Sequence, residues 1–150
     1  MSNGMEAIVT TIIHAPIDRV WTALVDPEDI ARYMMGARVV SDWSEGGAIR
    51  WSGEWKGKAF EDVGRVVKAR APDLLVYTHN SAGADGATQE HVISIELKEV
   101  GGVTHLRLTQ GGNNTEAARE HAVENWTLML DQLKKMLGEA PVPAPEAPRT

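Results

Sequence analysis

The sequence predicts an α+β fold in which an antiparallel sheet of about seven strands wraps one long C-terminal helix, with two short helices after the first strand. Three observations lead there. Residues Ala37 to Gln110 break into short β-type runs punctuated by turn residues, which implies an antiparallel meander. Thr115 to Leu137 carries a broad apolar stripe at helical spacing. Between the first strand and the meander, two proline-marked segments have the spacing of short helices.

Ala7 to Ile13 is rich in Ile, Val and Thr, whose branched side chains suit a pleated surface, and forms the first strand. Pro16 then stands at a first helical position, with Ile17, Val20, Trp21 and Leu24 at helical spacing behind it. Asp26-Pro27 ends that helix and starts the next, Asp26 as N-cap and Pro27 at N1, over Glu28 to Tyr33. The meander strands are expected at Ala37 to Trp43, Ala48 to Gly53, Ala59 to Ala69, Leu74 to Asn80, Glu90 to Val100 and Val103 to Gln110. Gly101-Gly102 is a two-residue hairpin signal, because glycine alone takes positive φ freely at both central positions. His91, Ile93, Ile95 and Leu97, and Leu106 with Leu108, alternate with polar residues, so each of these strands has one dry face that needs a cover.

The cover is the last helix. Ala118, Ala122, Trp126, Met129, Leu130, Leu133, Met136 and Leu137 fall on one face, with Glu120, Glu124, Asp131, Lys134 and Lys135 opposite. Asn113 followed by Glu116 suggests the capping arrangement at its start, and Gly138 a left-handed residue at its end. At 1.5 Å per residue the helix spans about 35 Å, enough to cross a small domain. The segment from Glu139 to Thr150 holds four of the seven prolines and almost nothing that enters a core, so it is expected to be a disordered tail behind a domain of residues 1–138.

Composition narrows the function. A chain of 150 residues with 43% hydrophobic residues supports one domain with a genuine core. A formal charge of −6 and the lack of a Lys or Arg run argue against nucleic acid or an anionic membrane as partner. With no cysteine, disulfides and thiolate chemistry drop out. Met1 to Glu6 lacks the pattern of a signal peptide and no stretch has the apolar length of a spanning helix, so the expectation is a cytoplasmic protein. None of the five histidines has a second His or Cys at metal-ligand spacing, and neither a phosphate-binding glycine loop nor a nucleophile elbow occurs; no metal, cofactor or catalytic constellation is expected.

The order of elements resembles the START-like (SRPBCC, helix-grip) superfamily, in which a curved antiparallel sheet grips a long C-terminal helix. Within it the chain is similar to the branch named after the activator of heat-shock protein 90 ATPase. The residues that carry this are Ala15-Pro16 with Val20-Trp21, Asp26-Pro27, Gly46-Gly47 opening a strand, Gly64-Arg65-Val66, Leu75-Val76-Tyr77-Thr78-His79, and Trp126 with Leu130 and Leu133 on the last helix. Tyr33 stands where this family often has tryptophan, and the chain shows no further N-terminal domain of the kind carried by the eukaryotic chaperone activators. The resemblance implies an apolar small molecule, such as a lipid or polyketide, bound between helix and sheet, and it leaves a chaperone as an alternative partner.

The residues supply a lining for such a site: Trp43, Trp51, Trp55, Phe60 and Tyr77 from the sheet, with Asn125 and Met129 from the helix edge. Five tryptophans against one phenylalanine suit stacking on a ringed ligand, although ordinary core packing asks for the same residues. His79 and His91 end and begin successive strands and can meet at the cavity mouth, to hold a polar group or shuttle a proton, while exposure at strand ends is the plainer reading. Glu54, Glu61 and Asp62 include a candidate general base, with outward alternation on the sheet as the plainer reading. Three functions follow: a ligand-binding module, a cyclase- or hydrolase-type enzyme using the same cavity, or a chaperone-activator-like interaction domain. A buried, shifted acid or histidine marks the second, and an apolar patch outside the cavity marks the third.

Overall fold

A computed structural model describes residues 6–34, 36–55, 57–82 and 88–139. Strand β1 (Ala7–Ile13) is followed by helices α1 (Ile17–Val25) and α2 (Pro27–Tyr33). The meander then runs β2 (Arg38–Val40), β3 (Ala48–Trp55), β4 (Lys58–Arg70), β5 (Leu74–Ala82), β6 (Thr88–Val100) and β7 (Val103–Gln110), and helix α3 (Glu116–Lys134) closes the fold. The seven strands form one antiparallel sheet in the order β1-β7-β6-β5-β4-β3-β2, so the first strand pairs with the last. The curved sheet holds α3 across its inner face, which is the helix-grip arrangement. A register shift between Val66 and Lys68 marks a bulge in β4, the device that bends a strand.

The hairpin at Gly101-Gly102 forms as expected, with φ of 61° and 85° joining the paired Val100 and Val103. Alternation sets the core: Ile93, Ile95 and Leu97 of β6 and Leu106 and Leu108 of β7 point inward and are buried. They meet Ile49 and Trp51 of β3, Val66 of β4, Leu75 and Tyr77 of β5, and Leu130 and Leu133 of α3.

Local chemistry explains where the observed elements depart from the expected ones. Pro16 is the N-cap of α1 and not its first residue, and it offers no side-chain oxygen. The N–H of Ile17 is satisfied instead by Glu99 Oε1 of β6 at 2.8 Å, a cap supplied from far along the chain. Asp26 does cap α2, accepting from the Asp29 N–H at 3.0 Å. Asp29 in turn receives both terminal nitrogens of Arg19, at 2.7 and 3.3 Å, which pins α1 against α2. The strand expected to reach Trp43 ends at Val40, because Trp43 takes φ of 58° and leaves the β region. Thr115, not Asn113, caps α3: its Oγ1 accepts from the Ala118 N–H at 3.0 Å, while Asn113 bonds to Gln110. The chain passes through Gly138 in a π-helical turn, Lys135–Glu139, where a left-handed stop was expected.

Candidate functional site

Between α2, α3 and the inner face of the sheet lies a cavity of about 20 Å³, space for a single water. Each lining residue is placed by the periodicity of its element. Trp51 of β3, Tyr77 and Leu75 of β5, Ile95 of β6 and Leu108 of β7 occupy inward positions. Ile30 and Tyr33 come from successive turns of α2, and Trp126, Leu130 and Leu133 from one face of α3. Trp43 enters from the loop after β2, and Leu24 and Met34 complete the wall. Met34, Trp43 and Trp126 keep part of their surface in solvent, which puts the mouth of the cavity beside them.

The rings are held closely. Trp51 lies 5.7 Å from Tyr77, tilted by 43°, and crosses Gly64 of the neighbouring strand. A Cβ at Gly64 would stand 3.1 Å from the Trp51 ring and 1.9 Å from the Thr78 carbonyl oxygen, so no larger residue fits. Burial pushes the phenols of both Tyr33 and Tyr77 well above the ordinary tyrosine value, and the proximity of the two rings raises Tyr33 further.

Beyond Trp51 and Trp126 the inner face turns polar. His79 Nε2 lies 3.0 Å from Asp62 Oδ2, and the imidazole meets the Trp51 ring edge-on at 4.9 Å. His91 is the direct cross-strand partner of His79. Its Nδ1 is 3.1 Å from the Gly111 carbonyl oxygen and 3.3 Å from Gln110 Nε2, so its tautomer decides which contact it makes. Gln110 Oε1 accepts the indole N–H of Trp126 at 2.6 Å. Burial lowers the pKa of His79 and outweighs the pull of Asp62 in the opposite direction, with His91 adding to the lowering.

Of the residues singled out from sequence, Trp43, Trp51 and Tyr77 line the cavity. His79 and His91 meet as partners in the polar cluster and are only partly exposed, so the reading of both as exposed strand ends is corrected. Asp62 is likewise corrected from a surface acid to the partner of His79, with 19% of its side chain accessible. Glu61 does face solvent, paired with Arg50 at 2.9 Å. Phe60 packs on the core over Gly53 and lies outside the lining. Asn125 is corrected: it is exposed, turned about 100° from Trp126 as consecutive helical residues must be. Met129 is half-buried beside the core, and the lining from α3 is Trp126, Leu130 and Leu133 instead. The side chain of Trp55 lies outside the described residues. Tyr33, Ile30 and Leu24 were missed, although their helical spacing in the two short helices was the available signal.

On the outer face Ile8, Ile12, Val63, Val67 and Val92 are exposed. The neighbours of the two β1 residues are polar: Ile8 pairs with Thr109 and Thr109 with Ser94, while Ile12 pairs with His105 and His105 with Lys98. Among the described residues no helix is long and apolar enough to cross a membrane.

Comparison with known proteins agrees with this architecture. Residues 14–138 match the family described as Activator of Hsp90 ATPase homolog 1-like protein, and the chain belongs to that family. A Cytophaga hutchinsonii protein known from its solution structure is 44% identical, with 87% of this chain and 92% of that one covered and a TM-score of 0.76. A Mesorhizobium loti crystal structure is 25% identical over 87% of this chain and 95% of its own, with a TM-score of 0.75. DynU16, a protein in the dynemicin biosynthetic locus, shares the fold at 18% identity and a TM-score of 0.74, over 87% of this chain and 46% of its own. No curated protein matches the chain.

Proposed function

We propose that this protein binds an apolar, ringed small molecule between α3 and the sheet. The observation that carries this reading is the convergence of five aromatic side chains on one enclosed space from five separate segments: Tyr33 of α2, Trp43 of the loop after β2, Trp51 of β3, Tyr77 of β5 and Trp126 of α3. A fold that only needed filling would be served by aliphatic side chains, which pack without polar atoms to satisfy. The occurrence of a fold relative in a biosynthetic locus is in keeping with small-molecule handling. Ligand pockets run to hundreds of Å³, so a ring compound enters the 20 Å³ space only if its wall gives way. Met34, an unbranched and flexible residue at the mouth, is suited to that movement.

The test is a titration with apolar ring compounds followed by backbone and indole chemical shifts. Trp43, Trp51, Tyr77, Trp126 and Leu130 are expected to move together. Changes centred on Ile8 and Val92 of the outer face, or no change up to millimolar probe, would sink the reading.

A second reading is favoured by one observation, the 3.0 Å contact of His79 with Asp62 against the edge of Trp51. A carboxylate-oriented imidazole, held neutral by burial, can accept a proton from a ligand lying on that indole. His79→Gln is expected to leave binding in place and to remove proton exchange from a bound acidic C–H probe. Unchanged exchange in that variant argues against it.

A further inference from the structure

Within the proposed binding space one polar atom is left over. Trp43 Nε1 is buried, and among the described residues no acceptor lies within hydrogen-bond reach. Trp126, by contrast, gives its indole N–H to Gln110. A buried donor with its bond unmade keeps the desolvation cost that a partner would offset. Trp43 is also held in a conformation that bulky residues rarely adopt, with φ of 58°.

The loop around it is constructed to keep that conformation. Ser41 Oγ accepts from the Trp43 N–H at 3.0 Å, and Asp42 Oδ1 accepts from both the backbone N–H and the hydroxyl of Ser44, at 3.0 and 2.7 Å. Gly47 leaves the space: a Cβ there would stand 2.9 Å from Asp42 Oδ1. These turns on either side fix the residue so that its indole packs on the core and lines the cavity. Strain and an unpaired donor at the same residue, in the wall of an enclosed apolar space, are the marks of a group arranged for a ligand.

We infer that Trp43 Nε1 is the specificity-determining donor of this site and that the ligand is a ringed apolar molecule with a hydrogen-bond acceptor on its ring system, of the ketone or quinone class, in preference to a plain hydrocarbon. The inference rests on the proposed binding function. Tyr33 and Tyr77, which stay protonated in their buried positions, line the same space, so the lining is rich in donors and holds no carboxylate to repel an acceptor.

Fluorenone and fluorene have the same shape and differ only in a carbonyl against a methylene, so together they separate this inference from the binding function. Fluorenone is expected to bind about tenfold more tightly, the effect of one neutral hydrogen bond in a dry site. It should also shift the Trp43 Nε1–H proton downfield, while fluorene does not. Trp43→Phe, which keeps a ring and removes the donor, should bring the two affinities together. Equal binding with an unmoved Trp43 indole proton overturns the inference and leaves the binding function standing. A fluorenone preference that persists in Trp43→Phe also overturns it, because another donor then holds the carbonyl. Binding of neither compound overturns both. If Trp43→Phe does not fold, the indole shift in the unmodified protein decides.

Discussion

Trp126 donates its indole N–H to Gln110 Oε1 at 2.6 Å, so the long helix is fastened to β7 by a polar bond set within its apolar stripe. The same side chain lines the cavity, and Gln110 continues to His91 and Asn113. Helix position, cavity wall and polar cluster therefore depend on one residue.

Two substitutions separate these roles. Trp126→Phe keeps an apolar ring and leaves Gln110 without its donor, for an expected loss of about 1 kcal/mol. Trp126→Ala also removes the ring; the side chain is half-buried, so about 3 kcal/mol is expected, the low end for such truncations. Urea unfolding measures both. Equal losses would mean that the hydrogen bond carries the whole effect.

Tyr33 and Tyr77 are the only two tyrosines, and both are buried in the cavity wall. Their folded-state pKa values are raised, so the unfolded chain gives up phenol protons first, from about pH 10 upward. Stability from this source is complete below pH 10 and falls as pH rises beyond it. Absorbance near 295 nm should show no phenolate in the folded protein at pH 10.5, with both tyrosines appearing together as the chain unfolds. A phenolate signal from folded protein at that pH would show that one ring reaches water.

His79 gives the opposite slope. Its folded pKa is lowered by burial, so below about pH 6.5 the unfolded chain takes up a proton that the fold resists. The stabilising contribution is present above that pH and is lost as pH falls through the folded value. Comparing unfolding at pH 7.5 and pH 5.5, His79→Gln should lose less stability than the unmodified protein over that interval. An identical loss in both would place the pH dependence in other groups.

Much of the fold was legible in the sequence because it follows from periodicity. The period-two pattern of Ile93, Ile95 and Leu97, the Gly101-Gly102 turn and the 3.6-residue stripe on α3 each have one physical solution. Boundaries failed where side chains compete with the backbone for hydrogen bonds. Ser41 and Asp42 turn the chain before Trp43, and Thr115 takes the capping role expected of Asn113. The site was half legible. Residue type singles out Trp43, Trp51 and Tyr77, which line the cavity, but the cavity side of α3 depends on helix rotation, which places Asn125 in solvent and Leu130 inside. The Asp62 and His79 contact joins two strands and depends on a register that no local pattern specifies.

The Pro-rich segment expected to form a tail, from residue 140 on, lies outside the described residues; its composition predicts that it adds little to stability. Removing residues 141–150 is expected to leave the melting temperature within about 2 °C. A fall as large as that of a core substitution would show that the segment packs on the domain.

Leu130 tests the cavity itself. It is 3% exposed, lines the space and belongs to α3, so Leu130→Ala should cost about 2 to 5 kcal/mol and enlarge the cavity beside Trp126 and Tyr77. Enlarged apolar cavities bind small aromatic molecules, and a ligand that binds only the folded state raises stability with its concentration. Benzene or a similar ring should therefore restore part of the lost melting temperature in Leu130→Ala. Ile13→Ala provides the control: Ile13 is fully buried but lies outside the lining, so its truncation should be equally destabilising without rescue by the same compound. Rescue of both variants would point to a general effect of the solute on the core, and rescue of neither would show that the space under α3 collapses instead of opening. Selective rescue of Leu130→Ala ties ring binding to the gap between helix and sheet.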